Sequence, residues 1–156
     1  AELGARLFLP RASADETLAS NFAAGSLLDY DRARITQGVP DGSRDMEVER
    51  SILLENGFDE LGGVDWSKGC YIGQELTART KHRALIKKRL IPVAIEGGAP
   101  QEEAEVKKNG KPAGLLRSHA DGLGLALLRL ERLQEDGPLT AGAATLQPKL
   151  PTWLDL

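Results

Sequence analysis

The second half of the chain alternates strand-like runs with tight turns, and this pattern limits the possible folds more than any other feature. Asn109-Gly110 is the strongest kind of short hairpin signal, and Asp121-Gly122 marks a second turn. Asp136-Gly137-Pro138 marks a third turn. Short strands at this spacing predict a small antiparallel β-barrel or sandwich, which we expect over residues 85–156.

The individual strands of this region are predicted from their β-branched and apolar residues. Residues 85–95 form the first strand, although Pro92 lacks an N–H group and is therefore expected at an edge or a bulge. His119 precedes the Asp-Gly turn and is expected to belong to it. Residues 123–130 predict a further strand, and residues 143–147 are the candidate for the closing strand.

The N-terminal part of the chain gives weaker signals. A strand is predicted over residues 5–9, and Pro10 ends it. Residues 11–25 are small and polar, which predicts a loop or a short helix. Asp29 is a candidate N-cap for a helix that ends near residue 38.

The middle of the chain leads into the barrel region. Residues 47–61 have no decisive periodicity. A helix is expected to begin at Ile72 or Gly73 and to end at about Thr80. We therefore predict an α+β segment followed by the barrel domain, with the boundary after residue 84.

Composition and charge exclude several classes of protein. A net charge of −3 and an aromatic content of 4% argue against direct nucleic-acid binding and against base stacking. A single cysteine rules out an internal disulfide and a single-chain cysteine zinc site, and it fits a reducing compartment such as the cytoplasm. No apolar run is long enough to span a bilayer, and no signal-peptide pattern opens the sequence.

The single cysteine, Cys70, is the first candidate for chemistry. A nearby lysine and the expected helix start both favour the thiolate, which is the form that attacks electrophiles or binds metal. The alternative is a buried cysteine that packs as a small apolar residue. As a nucleophile it would need a general base from elsewhere in the protein. The surrounding run reads Lys68-Gly69-Cys70-Tyr71-Ile72-Gly73-Gln74-Glu75.

The other residues of this run have structural roles open to them. Gly69 and Gly73 are expected to allow backbone angles or close approaches that other residues resist. Glu75, which follows Gln74, is expected to complement the dipole at the start of the helix.

Two further candidates lie outside the cysteine run. Glu55 is either a surface glutamate or a ligand whose carboxylate accepts two parallel N–H groups. Six basic residues fall within residues 79–89, where they can hold phosphate or a polyglutamate tail, or form a solvated face between two domains. His82 lies among these cations and is either solvated or a metal ligand.

The run K-G-C-Y-I-G-Q-E resembles the signature of the YgfZ-type folate-binding proteins, which are relatives of the glycine-cleavage T-protein. Mitochondrial iron–sulfur assembly factors belong to the same group. The resemblance extends through residues 76–83 and 87–90, and upstream to residues 54–57 and 62–64. A motif of this length with matching flanks is specific. Proteins of this type are longer and place the motif past their middle, so the chain resembles their C-terminal half.

The resemblance implies tetrahydrofolate as the cofactor, with Glu55 holding the pterin ring in a pocket that also draws on a preceding half. It implies assembly or repair of iron–sulfur proteins, with tRNA-modifying enzymes among the clients. Cys70 would ligate iron in a site shared with an iron–sulfur carrier or client protein, or it would attack an oxidised species. Neither nucleic acid nor a membrane would be a direct partner. The implied compartment is the cytoplasm, or the mitochondrial matrix in a eukaryote.

Two other functions stay open at this point. One is a tetrahydrofolate-dependent aminomethyltransferase of the T-protein kind, whose chemistry needs no cysteine. The other is a non-catalytic interaction module whose barrel docks a partner and needs neither Cys70 nor folate. Whether the protein is an enzyme is therefore undecided by its sequence.

Overall fold

The computed structural model of the chain describes residues 4, 7–83, 86–98, 100–101 and 103–154. Within these ranges no helix is long and apolar enough to cross a membrane. The part before the barrel is helical, with extended segments and turns between the helices. Its elements are α1 (Arg11–Asn21), α2 (Leu27–Thr36), a 3-10 helix (Leu53–Asn56) and α3 (Gln74–His82).

The rest of the described chain forms a closed antiparallel barrel with the strand order β1-β4-β3-β2-β5-β6. Closure pairs every strand on both sides, so the sheet presents no open edge. The prediction of an α+β chain with a C-terminal antiparallel barrel is confirmed. The elements are β1 (Lys88–Glu96), β2 (Glu105–Lys108), β3 (Lys111–Ala120), β4 (Leu123–Arg129), α4 (Leu130–Leu133), β5 (Leu139–Ala141) and β6 (Ala144–Pro148).

The sequence in the middle of β1 is an unbroken apolar run because the strand packs against the barrel core on one face and against α2 on the other. Ile91 and Val93 point into the barrel, where they pack in the main hydrophobic cluster. Leu90 lies on the opposite face, in a second cluster with Ile35 of α2 and Leu125. Both faces of β1 are therefore covered, which removes the polar alternation that a half-exposed strand would show. Members of the main cluster on other strands include Val106, Leu116, Ala126, Leu128, Leu139 and Leu146.

Both predicted hairpin turns are present. Asn109 and Gly110 join β2 to β3 with φ of 51° and 74°. Asp121 and Gly122 join β3 to β4 with φ of 49° and 75°. Positive φ at both central positions is the type I′ geometry, whose twist matches that of paired strands.

Two predictions about the barrel strands are wrong. Pro92 lies at neither an edge nor a bulge, because the β1–β4 register runs without a shift through the Pro92–Leu125 pair. Pairing of β1 with β6 begins one residue later, at Val93, so the missing N–H falls beyond that ladder. His119 belongs to β3 and pairs with Gly124, because the turn needs only the two residues that follow Ala120.

Two predictions near the N-terminus also change. Residues 7–9 form no strand, and residues 5 and 6 lie outside the described residues. The N-cap of α2 is Ser26 instead of Asp29. The Ser26 hydroxyl accepts the Asp29 N–H at 3.1 Å, and the Asp29 carboxylate accepts the Ser26 N–H at 2.9 Å. This capping box satisfies two orphan donors, so the helix begins before Asp29.

A buried polar cluster joins the N-terminal part to the barrel. Asp45 is almost completely buried and accepts hydrogen bonds from Arg34 Nη1 at 2.7 Å and from the backbone N–H of Ser118 at 2.9 Å. Arg34 Nη2 also donates to the Ser118 hydroxyl at 2.8 Å. We call Arg34, Asp45 and Ser118 the buried latch. It fixes α2 and the following loop against β3.

Candidate functional site

The Cys70 side chain is exposed to solvent on the segment that leads into α3. Gly69 has a φ of 74° and Gly73, the N-cap of α3, a φ of 89°. A Cβ added at either glycine would meet nothing within 4 Å. These glycines are therefore needed for their backbone angles and not for a close approach. The expected helix is present and begins at Gln74.

The cysteine segment is anchored at both sides by one cluster of side chains. Asp59 accepts a hydrogen bond from Trp66 Nε1 at 2.6 Å and another from Lys81 Nζ of α3 at 2.9 Å. The Lys81 ammonium also lies 4.1 Å from the centre of the Trp66 ring, within cation–π distance. Burial alone would raise the pKa of Asp59, but the bonds from Lys81 and Trp66 outweigh it and lower the pKa below its ordinary value.

The remaining motif residues make local contacts within the segment. The Lys68 ammonium lies 4.5 Å from the centre of the Tyr71 ring. The Tyr71 N–H donates to the Gln74 side-chain carbonyl at 3.3 Å, and Glu75 pairs with Arg79 one turn later on α3. These contacts hold the segment in a defined shape and leave the thiol free at the surface.

Two exposed apolar residues follow Cys70 in the chain. Ile72 is fully exposed, and Leu76 is more than half exposed. In the described ranges no group of three or more His, Cys, Asp or Glu side chains could hold a metal ion.

Glu55 lies at a different place, in the 3-10 helix, and is buried to all but 9% of its surface. Arg89 of β1 holds this helix, because it donates to the carbonyl of Leu54 at 2.6 Å and pairs with Glu60. Among the described residues no hydrogen bond or ion pair reaches the Glu55 carboxylate. The carboxylate oxygens keep contact with solvent, so a ligand in front of them could donate hydrogen bonds to both.

The Glu55 side chain lines a polar cleft of about 170 Å³ between the 3-10 helix and the barrel. Asn56 and Arg117 share its wall, and they are only 2% and 4% exposed. The Oδ1 atom of Asn56 and the Nε atom of Arg117 have no hydrogen-bond partner in the described part of the chain. We call this space the Glu55 cleft, and its other lining residues are Glu47, Arg50, Ser51, Ile52, Lys88, Leu115 and Leu127.

Charge in the cleft is partly neutralised within the protein. Arg117 Nη2 lies 2.5 Å from Glu47 and Nη1 lies 3.3 Å from Glu103. The hydrogen bond from Arg117 lowers the pKa of Glu47. Because Arg50 and Lys88 add two more cations to the wall, the cleft presents an unpaired acceptor, Glu55, beside cationic groups.

Cys70 and Glu55, the two main candidate residues, lie at separate places in the structure. Cys70 does not line the Glu55 cleft. Sequence reasoning named Glu55 and placed Lys88 in the basic run, but it missed Asn56 and Arg117 as cleft residues. The position next to Glu55 was a usable signal for Asn56. Arg117 gave no signal, because it is buried where the β3–β4 register shifts between Leu116 and His119.

The basic run is not a uniform solvated face. Arg79 and Lys81 form ion pairs within the part that carries the cysteine, and Arg89 is almost buried in its pair with Glu60. Lys88 lines the Glu55 cleft. His82 is exposed at the end of α3.

The comparisons with known proteins agree with the fold. Residues 87–156 match the family described as the CAF17 C-terminal beta-barrel domain. Two mammalian proteins named iron-sulfur cluster assembly factor IBA57, mitochondrial, are similar: the mouse protein is 43% identical over 74% of the chain and 33% of its own length. The human protein is 38% identical over 83% of the chain and 38% of its own length.

A fungal relative extends the match over almost the whole chain. The IBA57 homolog of Yarrowia lipolytica is 31% identical over 94% of the chain and 31% of its own length. The chain therefore spans about a third of the length of the curated relatives it matches. Together with the closed barrel and the motif, these matches confirm the recognition: the chain belongs to the YgfZ/CAF17 family and corresponds to its C-terminal region.

Proposed function

We propose that this chain takes part in the assembly or repair of iron–sulfur proteins, with Cys70 as the functional thiol and a reduced folate as the ligand. The observation that carries the proposal is the exposed Cys70 on a segment anchored by Asp59 and Lys81. The names of the relatives, iron-sulfur cluster assembly factors, indicate the process. The proposed compartment is a reducing one, either the cytoplasm or, in a eukaryote, the mitochondrial matrix, and it would keep the thiol free.

The proposed role of Cys70 is to supply one thiolate ligand to iron while a cluster is built or transferred. A cluster of the common kinds needs four protein ligands, usually cysteines, so one thiolate must share it with a carrier or client protein. Ile72 and Leu76 follow Cys70 in the chain and are exposed, and a partner that docks at the thiol would cover them. The cluster is cargo in this scheme.

The proposed folate site is the Glu55 cleft. The pterin ring presents adjacent N–H donors. The side-chain acceptors of Glu55 and Asn56, which have no partner among the described residues, fit such donors. The glutamate tail of folate carries carboxylates, which fit the cationic side chains of Arg50 and Lys88 on the same wall. The cleft of about 170 Å³ is smaller than a typical cofactor site, so the proposal includes further walls from a longer chain.

Complementation tests the proposal as a whole. In cells that lack the corresponding factor, a chain of the relatives' full length should restore the activity of an iron–sulfur enzyme, whereas its Cys70→Ser variant should not. Thr152→Ala, another exposed small polar residue, is the control and should complement fully. If Cys70→Ser complements as well as the control, the thiol has no part in the function, and the interaction-module alternative gains support.

Spectroscopy tests the shared-ligand step directly. The purified full-length protein should be colourless, and mixing it with a cluster-carrying A-type protein should give a complex whose visible spectrum differs between the wild type and Cys70→Ser. A cluster held stably by this protein alone, or a complex whose spectrum ignores the substitution, would contradict the shared site.

Calorimetry tests the folate site. Glu55→Gln keeps the shape of the side chain and removes its charge, so tetrahydrofolate should bind the full-length variant more weakly by about 1–3 kcal/mol. Glu131→Gln, on the exposed start of α4, is the matched control and should bind like the wild type. Equal affinities of both variants would remove Glu55 from the folate site.

A further inference from the structure

A second cleft, far along the chain from Cys70 and Glu55, contains a buried lysine. Lys108 is the last residue of β2 and is only 6% exposed. No carboxylate or other hydrogen-bond acceptor among the described residues pairs with it. Its neighbour Lys107, by contrast, is half exposed and pairs with Glu105 at 3.2 Å.

The Lys108 cleft has a volume of about 420 Å³ and lies where β2 meets β5 and β6. This volume is within the range of roughly 300–1,000 Å³ that small-molecule sites occupy. Among the described residues its wall has no acidic side chain and is mostly apolar, with Thr145 and Gln147 as the uncharged polar side chains. The apolar lining consists of Leu133, Pro138, Leu139, Leu146 and Pro148, with Gly137 at the turn.

The position of Lys108 combines a covered stem with an unpaired charge. The residue is only 6% exposed, but its Nζ atom keeps contact with solvent, so the carbon stem accounts for most of the burial. A counter-ion that enters the cleft would gain a charge-assisted hydrogen bond with this ammonium group. The inside of the cleft therefore favours a ligand with negative charge, while the surrounding leucine and proline side chains favour an apolar body.

We infer that the Lys108 cleft binds a small molecule that carries one carboxylate on an apolar body, with the carboxylate paired to Lys108. A single lysine on an apolar wall matches a monoanion, whereas phosphate is typically held by several donors, such as backbone N–H groups or arginine side chains. The residues that line this cleft are all different from those that line the Glu55 cleft. The inference is therefore independent of the proposed function.

The test is a titration of the 156-residue chain, labelled with nitrogen-15, with sodium octanoate, followed by amide chemical shifts. We expect saturable shifts at Leu133, Leu139 and Leu146, with 1-octanol, a neutral molecule of the same length, binding at least tenfold more weakly. Lys108→Met keeps the length of the side chain but not its charge, and it should weaken octanoate binding at least tenfold. Lys107→Met is the matched control and should leave the affinity unchanged.

Three results would overturn the inference. The first is the absence of saturable shifts around the cleft. The second, which needs no variant, is equal affinity of the wild-type chain for octanoate and 1-octanol. The third is an affinity of a folded Lys108→Met variant equal to that of Lys107→Met, which would leave Lys108 as a side chain whose stem covers apolar surface.

Discussion

At the scale of single residues, exposure decides between two roles for Cys70. Its residue type alone permits either a buried apolar side chain or an accessible thiol. The thiol is exposed on a segment in which Gly69 and Gly73 take left-handed backbone angles. Asp59 binds Trp66 before this segment and Lys81 after it. The buried alternative is therefore wrong, and the chemistry of the thiol becomes testable.

Alkylation measures this exposure directly. The folded chain should react with iodoacetamide at neutral pH at a rate within about tenfold of a small free thiol, because no packed side chain covers Cys70. Mass spectrometry of timed samples gives the rate, and Cys70→Ser is the blank. A rate that stays negligible until urea unfolds the chain would show that the thiol is protected.

Glu55 is a residue of a type that is usually exposed but that this structure buries. A glutamate is usually exposed, yet Glu55 is buried because Arg89 holds the 3-10 helix against β1. Nearby, Asn56 Oδ1 and Arg117 Nε have no hydrogen-bond partner among the described residues. Buried polar atoms of this kind usually bond to water or to a ligand. This burial is what turns an ordinary surface residue type into a site candidate.

At the scale of elements, the barrel depends on close backbone approaches as well as on its turns. Gly114 of β3 lies so close to β4 that an added Cβ would be 2.2 Å from the carbonyl oxygen of Leu127. Since that atom belongs to the backbone, the strands would have to move apart. The glycine therefore sets the distance at which β3 and β4 pair.

A glycine-to-alanine pair tests this constraint. Gly114→Ala should lower the free energy of unfolding by about 2 kcal/mol or more, because it overpacks a paired strand. Gly98→Ala is the control, since an added Cβ there meets nothing within 4 Å and should change stability by less than about 0.5 kcal/mol. Urea denaturation followed by circular dichroism measures both. Equal stability of the two variants would contradict the predicted clash.

At the scale of the whole molecule, polar contacts join the helical part to the barrel. The buried latch of Arg34, Asp45 and Ser118 connects α2 to β3. Near the C-terminus, Trp153 donates to the carbonyl of Gln37 at 2.9 Å and packs against Gly57, beside the 3-10 helix. The predicted division after residue 84 stays a prediction, and these contacts imply that the two parts depend on each other.

Breaking the latch should destabilise the chain strongly. Asp45→Asn removes the charge that compensates the buried Arg34, and we expect a loss of about 3–5 kcal/mol in the free energy of unfolding. Asp121→Asn breaks an exposed pair with Arg32 and keeps a turn-forming residue, so its effect should stay below about 1 kcal/mol. Urea denaturation separates the two outcomes, and a small effect at Asp45 would show that the latch is dispensable.

The sequence alone was sufficient to predict the features that depend on local backbone preferences. Asn109-Gly110 and Asp121-Gly122 specify type I′ turns by themselves, because few residue pairs tolerate positive φ at both positions. The start of α3 was predictable to within two residues from the glycine before it. The motif around Cys70 was likewise sufficient to identify the family.

Only the tertiary structure decided how distant residues meet. Asp45 and Ser118 are 73 positions apart, and Arg117 enters the Glu55 cleft through a register shift in β3. The burial of Lys108 likewise depends on how β2, β5 and β6 close the barrel. The physical reason is that a turn depends on the φ and ψ preferences of adjacent residues, whereas a cleft depends on strand register and packing. Strand register and packing follow from the energy of the whole chain, so no single residue in the sequence indicates them.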